Sequence, residues 1–399
     1  MQETSSNPDP EMVTASPNNV PVILQILPSL VTGGVERGAV EVARAITGAG
    51  WQAIVASSGG QMVSEIQRAG GRHIVFPANS KNPIQMRRNV SRLAALIREH
   101  KIDIVHARSR APAWSAFSAA RKTGAAFMTT FHGNYGAANP LKRFYNSVMV
   151  RGDRVIAISQ FIGDQVCDRY GADPAKVRII PRGVDVDNFN PPAVSAERVI
   201  QLAEKWRVPD DARVIMLPGR LTRWKGQSVL IEALARLPDR TGLRCIMVGG
   251  DQGRTGYRAE LEREVTRCGL EATVQFVGDC RDMPAAFMLA DVVVSASTDA
   301  EAFGRVIIEA QAMGRPVIAT NHGAARETVI EGETGWLVPP GDASALVAAL
   351  SDALAIEPEA REAMAARTIA QVRQDYTRDL MCDRTLSVYE ELLEESAAR

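Results

Sequence analysis

The sequence predicts an α/β protein of two tandem, Rossmann-like, doubly wound parallel-sheet domains facing a central cleft. Three observations carry this. From Pro21 onward, short β-branched runs alternate with amphipathic helical stretches, the pattern of successive βαβ units. The runs are continuously apolar, as strands covered on both faces of a parallel sheet must be. The pattern stops at P-R-G-V-D-V-D-N-F-N-P-P (181–192), dense in Pro, Gly and Asp, and then begins again. The length of 399 residues suits this duplication, since a domain takes about 100–200 residues.

Taken in order, residues 1–20 are polar and rich in Pro and Asn, and read as a disordered tail. The first unit, 21–184, carries strands expected at 22–27, 53–57, 73–76, 102–107, 127–131, 154–159 and 177–180. Helical patterns such as Val35–Thr47 and Gln85–His100 separate them. The second unit, 185–377, carries strands expected at 213–218, 243–248, 273–277, 291–295, 316–320 and 335–338. A last helix, Arg378–Glu395 within 378–399, spaces Leu380, Met381, Leu386, Val388, Tyr389 and Leu392 at helical intervals. Such a stripe must be buried, and the first unit is where it is expected to pack.

Composition excludes several classes. Lys+Arg 46 against Asp+Glu 46 leaves no net basic field, which argues against a general nucleic-acid binder. Five scattered cysteines without Cys-x-x-Cys spacing fit small core residues in a reducing compartment. No apolar run approaches the ~18 residues of a membrane span, and the N-terminus lacks the basic and apolar regions of a signal peptide. The expected location is the cytoplasm. The neutral total conceals an asymmetry: 22 basic against 13 acidic residues through Asp185, and 24 against 33 beyond it. Basic residues at 87, 88, 92, 98, 108, 110, 121, 122, 142 and 143 supply much of the excess. Oppositely charged domains or solvated helix faces explain it most simply; a face for anionic headgroups or an anionic acceptor is the sharper alternative.

Open α/β sheets bind ligands beyond the carboxyl ends of their strands, and the unusual residues fall there. In E-A-F-G-R-V-I-I-E (301–309), Glu301 follows a strand and Gly304 opens a helix. The exposed N–H groups and partial positive charge of a helix N-terminus suit a phosphate. Glu309 stands alone in an apolar run, where its two oxygens suit a ribose diol; an Arg305–Glu309 surface pair is the plain alternative. In P-G-R-L-T-R-W-K-G (218–226), Arg220 and Lys225 place a planar fork and a point charge at a strand end, the means to grip a diphosphate. Gly33 and Gly34 make a phosphate-approach turn without the G-x-G-x-x-G dinucleotide pattern. His132 follows a strand and precedes a glycine loop, so its ring is expected in the cleft. His106, Arg108, Arg110 and Trp114 cluster after another strand; the arginines suit an anionic, cyclic acceptor, whereas His106 is as well explained by a role in the fold. Asp185 and Asp187 sit in the connector and read as turn chemistry. No metal site and no cofactor are implied.

These residues resemble the retaining glycosyltransferases of family 4, which have the two-Rossmann GT-B fold. The matching pieces are G-R-L-T-R-W-K-G, the E-A-F-G…E pair followed by G-R-P-V-I-A-T, and E-T-G-W-L-V-P-P-G-D in the second half, with G-G-V-E-R and I-P-R-G-V-D-V-D-N-F in the first. The resemblance implies metal-free transfer of a sugar from a nucleotide-sugar donor, with retention at the anomeric carbon. It implies that Arg220 and Lys225 hold the diphosphate, Glu309 the ribose, and Glu301 the donor sugar. Phe303 and Gly304 would meet phosphate or sugar through their backbone, Val277 would help seat the base through its backbone, and His132 would touch the sugar near the reacting centre. Gly33 and Gly34 would approach the phosphates from the first domain. Two departures stand out: Gly323-Ala324 where Gly-Gly is common, and Arg108 where a second histidine is frequent.

The sequence leaves the donor open between UDP- and GDP-sugars. For the acceptor, the basic first half favours a glycan or lipid-linked acceptor of envelope polysaccharide or lipopolysaccharide synthesis, with peripheral contact at the inner membrane surface. A nucleotide-sugar epimerase on the same fold and a non-catalytic nucleotide-sugar or glycan-binding module are the alternatives. A sugar phosphorylase and a dehydrogenase fit less well, for want of a candidate pyridoxal-phosphate lysine and of the dinucleotide glycines.

Overall fold

A computed structural model of the chain describes residues 20–398, except 32, 81, 137–138 and 254. The expected tail, apart from Val20, lies outside the described residues. Among the described residues, thirteen strands form two all-parallel sheets. The first contains β1 (Val22–Ile26), β2 (Gln52–Ser57), β3 (Arg72–Val75), β4 (Ile104–Ala107), β5 (Ala126–Phe131), β6 (Arg154–Ala157) and β7 (Val177–Ile179), in the order β3-β2-β1-β4-β5-β6-β7. The second contains β8 (Arg213–Pro218), β9 (Leu243–Val248), β10 (Val274–Gly278), β11 (Val292–Ser295), β12 (Val317–Thr320) and β13 (Gly335–Val338), in the order β10-β9-β8-β11-β12-β13. In each, the order reverses beside the first strand, which opens a crevice at the strands' carboxyl ends.

The strands form where the apolar runs were. Val22, Ile23, Leu24 and Ile26 are all buried, and Ile23 aligns with Ala53 on one side and Ile104 on the other. Helix starts are fixed by side chains that accept the free N–H groups of the first turn. Asn82, Ser159, Asp282, Asp342 and Thr377 each cap a helix in this way.

Two features tie the halves together. The C-terminal helix, Arg378–Ala397, returns to the first sheet, burying Met381, Val388, Tyr389 and Leu392 in a cluster with Ile23, Leu27 and Ile104. An apolar cluster also crosses between the sheets, joining Phe303, Ile308, Val372 and Tyr376 to Ile158, Ile162 and Val184. The chain passes between the sheets twice, and the two crossings pair with each other. Val184 N–H donates to Tyr376 O (2.8 Å) and Arg378 N–H donates to Val184 O (2.8 Å).

Candidate active site

The loops after β8 and β11 rise side by side because those strands are neighbours. The β8 loop passes Gly219 and Arg220, makes a short 3-10 turn at Arg223–Lys225, and enters the helix Gln227–Arg236. The β11 loop runs to Gly304, which caps the helix Arg305–Ala312 in a left-handed conformation (φ 79°), a region glycine enters without a Cβ penalty. Lys225 Nζ consequently lies 2.7 Å from Glu301 Oε1, with Trp224 beneath the ammonium at 4.5 Å from its ring centroid. Ser297 Oγ donates to the same Glu301 oxygen (2.5 Å). Glu301 thus steadies the lysine with one of its two oxygens.

These groups line a cavity of about 960 Å³ between the two sheets. Arg220, Lys225, Glu301, Phe303 and Gly304 line it from the second domain, and Gly34, His132 and Arg182 from the first. His132 has no hydrogen-bond partner for Nε2 among the described residues. Burial, then the charges of Arg108, Arg182 and His106, hold its pKa well below the usual 6.5. The ring is therefore a neutral imidazole at pH 7, suited to a hydroxyl rather than a carboxylate.

A second cavity of about 250 Å³ adjoins the first through Arg305, and Glu309 and Arg281 line it. Glu309 and Arg305 do form the i,i+4 pair, at 3.0 Å, but the pair is half-buried, Glu309 more so than Arg305. Burial raises the Glu309 carboxyl above 4.5, and Arg305 opposes that rise. A third cavity, of about 620 Å³, opens at the strand ends of the first domain, where Arg110, Lys142, Ser109 and Tyr145 line it. Arg110 is held there by Asn146 Oδ1 (3.0 Å) and by the Tyr135 ring, 4.0 Å away.

The structure does not bring every expected residue to the cleft. Arg108 is 3% exposed, donates to Gln25 Oε1 (3.1 Å), and lines neither the cleft nor the Arg110 cavity; it turned inward because helix Gly34–Gly48 covers it. Gly33 precedes Gly34 as the cap of its helix; the Val277 side chain packs into the apolar cluster behind β10, which does not bear on the backbone contact expected of it. His106 belongs to the fold: Nδ1 meets Tyr389 Oη and Nε2 meets Thr130 Oγ1, both at 2.7 Å. Asp185 accepts from the N–H groups of Asp187 and Asn188 and pairs with Arg378 at 2.7 Å. Among the described residues no group of three or more His, Cys, Asp or Glu gathers as metal ligands.

Sequence reasoning missed Arg182. It follows the first domain's last strand, the same strand-end position that marked His132, but its place in a Pro/Gly-rich connector disguised it. It is 5% exposed, and one Nη donates to Gly34 O. Burial, with Arg305 and Arg108 nearby and Glu41 opposing, brings its pKa down to about 9.

Comparison with known proteins agrees with this geometry. Residues 200–371 match the family model for glycosyl transferases group 1, and residues 32–188 match that for glycosyltransferase family 4. A glycosyltransferase from Rickettsia africae is 38% identical with a TM-score of 0.87, covering 94% of this chain and 99% of that one. Anabaena HepE, solved in complex with UDP, is 25% identical with a TM-score of 0.81, covering 93% of this chain and all of that one. A D-inositol 3-phosphate glycosyltransferase from Kineococcus radiotolerans is 34% identical over 268 residues, 63% of this chain and 60% of that protein. The enzyme of that name from Xylanimonas cellulosilytica is 34% identical over 49% of this chain and 47% of its own, so the match spans about half the length of these curated relatives. With two parallel sheets, and Glu301 and the basic strand-end loop facing one cleft with Glu309 in the cavity beside it, the chain belongs to glycosyltransferase family 4 and has the GT-B fold.

Proposed function

We propose that the protein transfers a sugar from a nucleotide-sugar donor, UDP- or GDP-linked, to an anionic acceptor, with retention and without a metal. The observation that carries this is Lys225, fixed between Glu301 and Trp224 beside Arg220 and the N-terminus of the Arg305–Ala312 helix. Breaking the sugar–phosphate bond leaves negative charge on the diphosphate. Donors and cations already in place stabilise that charge without reorganising, the role a divalent ion would otherwise fill. Glu309 and Arg281 line the adjoining cavity, which is of a kind to take the nucleoside. Glu301 and the neutral His132 address sugar hydroxyls. Because Glu301 is engaged by Lys225 and Ser297, it is a poor nucleophile. Attack from the leaving-group face, with the departing phosphate taking the acceptor's proton, needs none.

The acceptor reading rests on Arg110 and Lys142 in the first domain's cavity, which suit a phosphate-bearing polyol of the kind named for the curated relatives. A lipid-linked or lipopolysaccharide-type glycan is the second reading. It is favoured by Leu141 and Phe144, 80% and 61% exposed beside Lys142 and Arg143, a surface fit for peripheral contact with an anionic membrane. Among the described residues no helix is long and apolar enough to cross one.

The test is a transfer assay over UDP- and GDP-sugars, with inositol phosphate and lipid-linked acceptors, read by mass spectrometry with and without EDTA. Lys225→Ala and Arg220→Ala should each lower kcat about 10²–10³-fold with the fold intact by circular dichroism. Near-normal turnover in either, abolition by EDTA, or a free epimerised sugar formed without acceptor would refute the proposal. A donor bound but never turned over would leave the binding-module reading standing.

A further inference from the structure

The cleft has cations on both walls, and the sequence motifs account for those on one wall only. Arg182 belongs to the first domain and Arg305 to the second, yet both reach Gly34. An Arg182 Nη2 lies 3.8 Å from the position a Gly34 β-carbon would take, and Arg305 Nη1 lies 3.9 Å from the same point. Gly34 is the first residue of a 15-residue helix, whose N-terminal N–H groups add positive potential at that point.

This gathering lacks its counter-charge. Arg182 is nearly inaccessible to water, and its hydrogen bond is to a carbonyl; among the described residues it has no ion-pair partner. Among the described residues Arg305 has one carboxylate partner, Glu309, while its Nε is buried with no partner. The buried Arg108 meets Arg182 at Gly38, and the carboxylate of Glu41 opposes the charge of both. Like charges facing each other across a domain boundary oppose its closing, and a buried guanidinium demands an anion. The cavity that Gly34, Arg182 and Arg305 share with Gly304 and Lys225 is where one would sit.

We propose that Arg182 and Arg305 form a two-sided seat for the donor's diphosphate, so that the anion itself draws the two domains together. The idea rests on the donor reading above and goes beyond it. Arg220 and Lys225 hold the diphosphate from one domain, whereas Arg182 makes its retention depend on the other. Arg182 acts as a positioning residue: it couples donor occupancy to cleft closure. Without the anion, the charges of Arg182 and Arg305 oppose their close approach at Gly34; with it, both are neutralised by one group. Closure then follows donor binding and excludes water from the activated donor.

The experiment uses the full chain, with inorganic pyrophosphate, UDP and GDP as probes, calorimetry for affinity and small-angle X-ray scattering for compaction. The wild type should contract on saturation with pyrophosphate or with the nucleoside diphosphate it binds. Arg182→Gln should bind pyrophosphate at least tenfold more weakly and contract no further, while its ligand-free form is no larger than the ligand-free wild type. Mere structural damage would instead enlarge it. Arg305→Gln, which keeps a hydrogen-bonding side chain toward Glu309, should lose pyrophosphate affinity to a similar degree, and it decides the matter if Arg182→Gln does not fold. Wild-type affinity, within twofold, in the folded variants overturns the seat while leaving the donor reading intact. Failure of the wild type to bind any of the three probes overturns both.

Discussion

His106 and His132 are buried beside two guanidiniums, and that placement has a consequence for pH. Burial first, and then neighbouring positive charge, hold both imidazoles well below their usual 6.5 in the folded protein. As pH falls through about 6.5 the unfolded chain takes up protons that the native one refuses, so stability falls with acidification. Two such groups give a slope that approaches about 2.7 kcal/mol per pH unit roughly one unit below that value. Urea unfolding at pH 7.5, 6.5 and 5.5 measures it. His106→Gln, which removes one of the two refused protons, should roughly halve the slope; an unchanged slope would show that His106 is protonated in the fold. At this scale the sequence was only partly legible. Lys225 and Glu301 could be read because a cation and a carboxylate after adjacent strands point one way. Arg108 and Arg110 could not be told apart, although only Ser109 separates them: Arg108 lies beneath a helix and Arg110 faces a cavity. Strand-end position marks a side chain's height above the sheet, not the side to which it turns.

Among the elements, helix Gln160–Tyr170 has an unusual beginning. Ser159 caps it from within, accepting from Ile162 N–H, and also donates to Ala302 O of the second domain at 2.7 Å. Glu327, likewise from the second domain, accepts from the N–H groups of Gln160 and Phe161, both at 2.8 Å. A carboxylate at a helix N-terminus is favourable, and here it also joins the domains. Tyr376 steadies Glu327 by donating to its carbonyl oxygen at 2.7 Å. Glu327→Ala leaves two donors without their partner, an expected loss of about 1–3 kcal/mol in chemical denaturation. Because Ala302 and Ile158 line the cleft, kcat/KM should fall as well. Full activity at reduced stability would mean that the contact serves the fold alone. None of this could be read beforehand, since helix and carboxylate are more than 160 residues apart and neither local sequence points to the other. The strands were legible for the opposite reason. Each carries its own signal, an unbroken apolar run, and all thirteen lie within one or two residues of the expected positions.

For the molecule as a whole, the crossings between sheets decide how the cleft opens. Gly183 lies so close to the returning segment that an added Cβ would overlap Thr377 O. Gly183→Ala should therefore break the paired crossing at Val184 and Tyr376–Arg378. The expected result is a larger radius of gyration in scattering and weaker nucleotide binding, with both sheets intact by circular dichroism. An unaltered radius would show that the apolar cluster around Phe303 sets the interdomain angle unaided. Connectivity of this kind was legible as a restart of the pattern at 181–192, but its geometry depends on backbone meeting backbone, which composition does not encode.

The helix that returns to the first sheet is made only after the entire second domain. During synthesis, then, Ile23, Leu27 and Ile104 wait without the partners that later cover them. The earlier half of the polypeptide must endure this interval with an uncovered greasy face, a natural foothold for a chaperone at the ribosome. A nascent chain arrested before residue 378 should remain protease-sensitive in its first half long after the second half has become resistant.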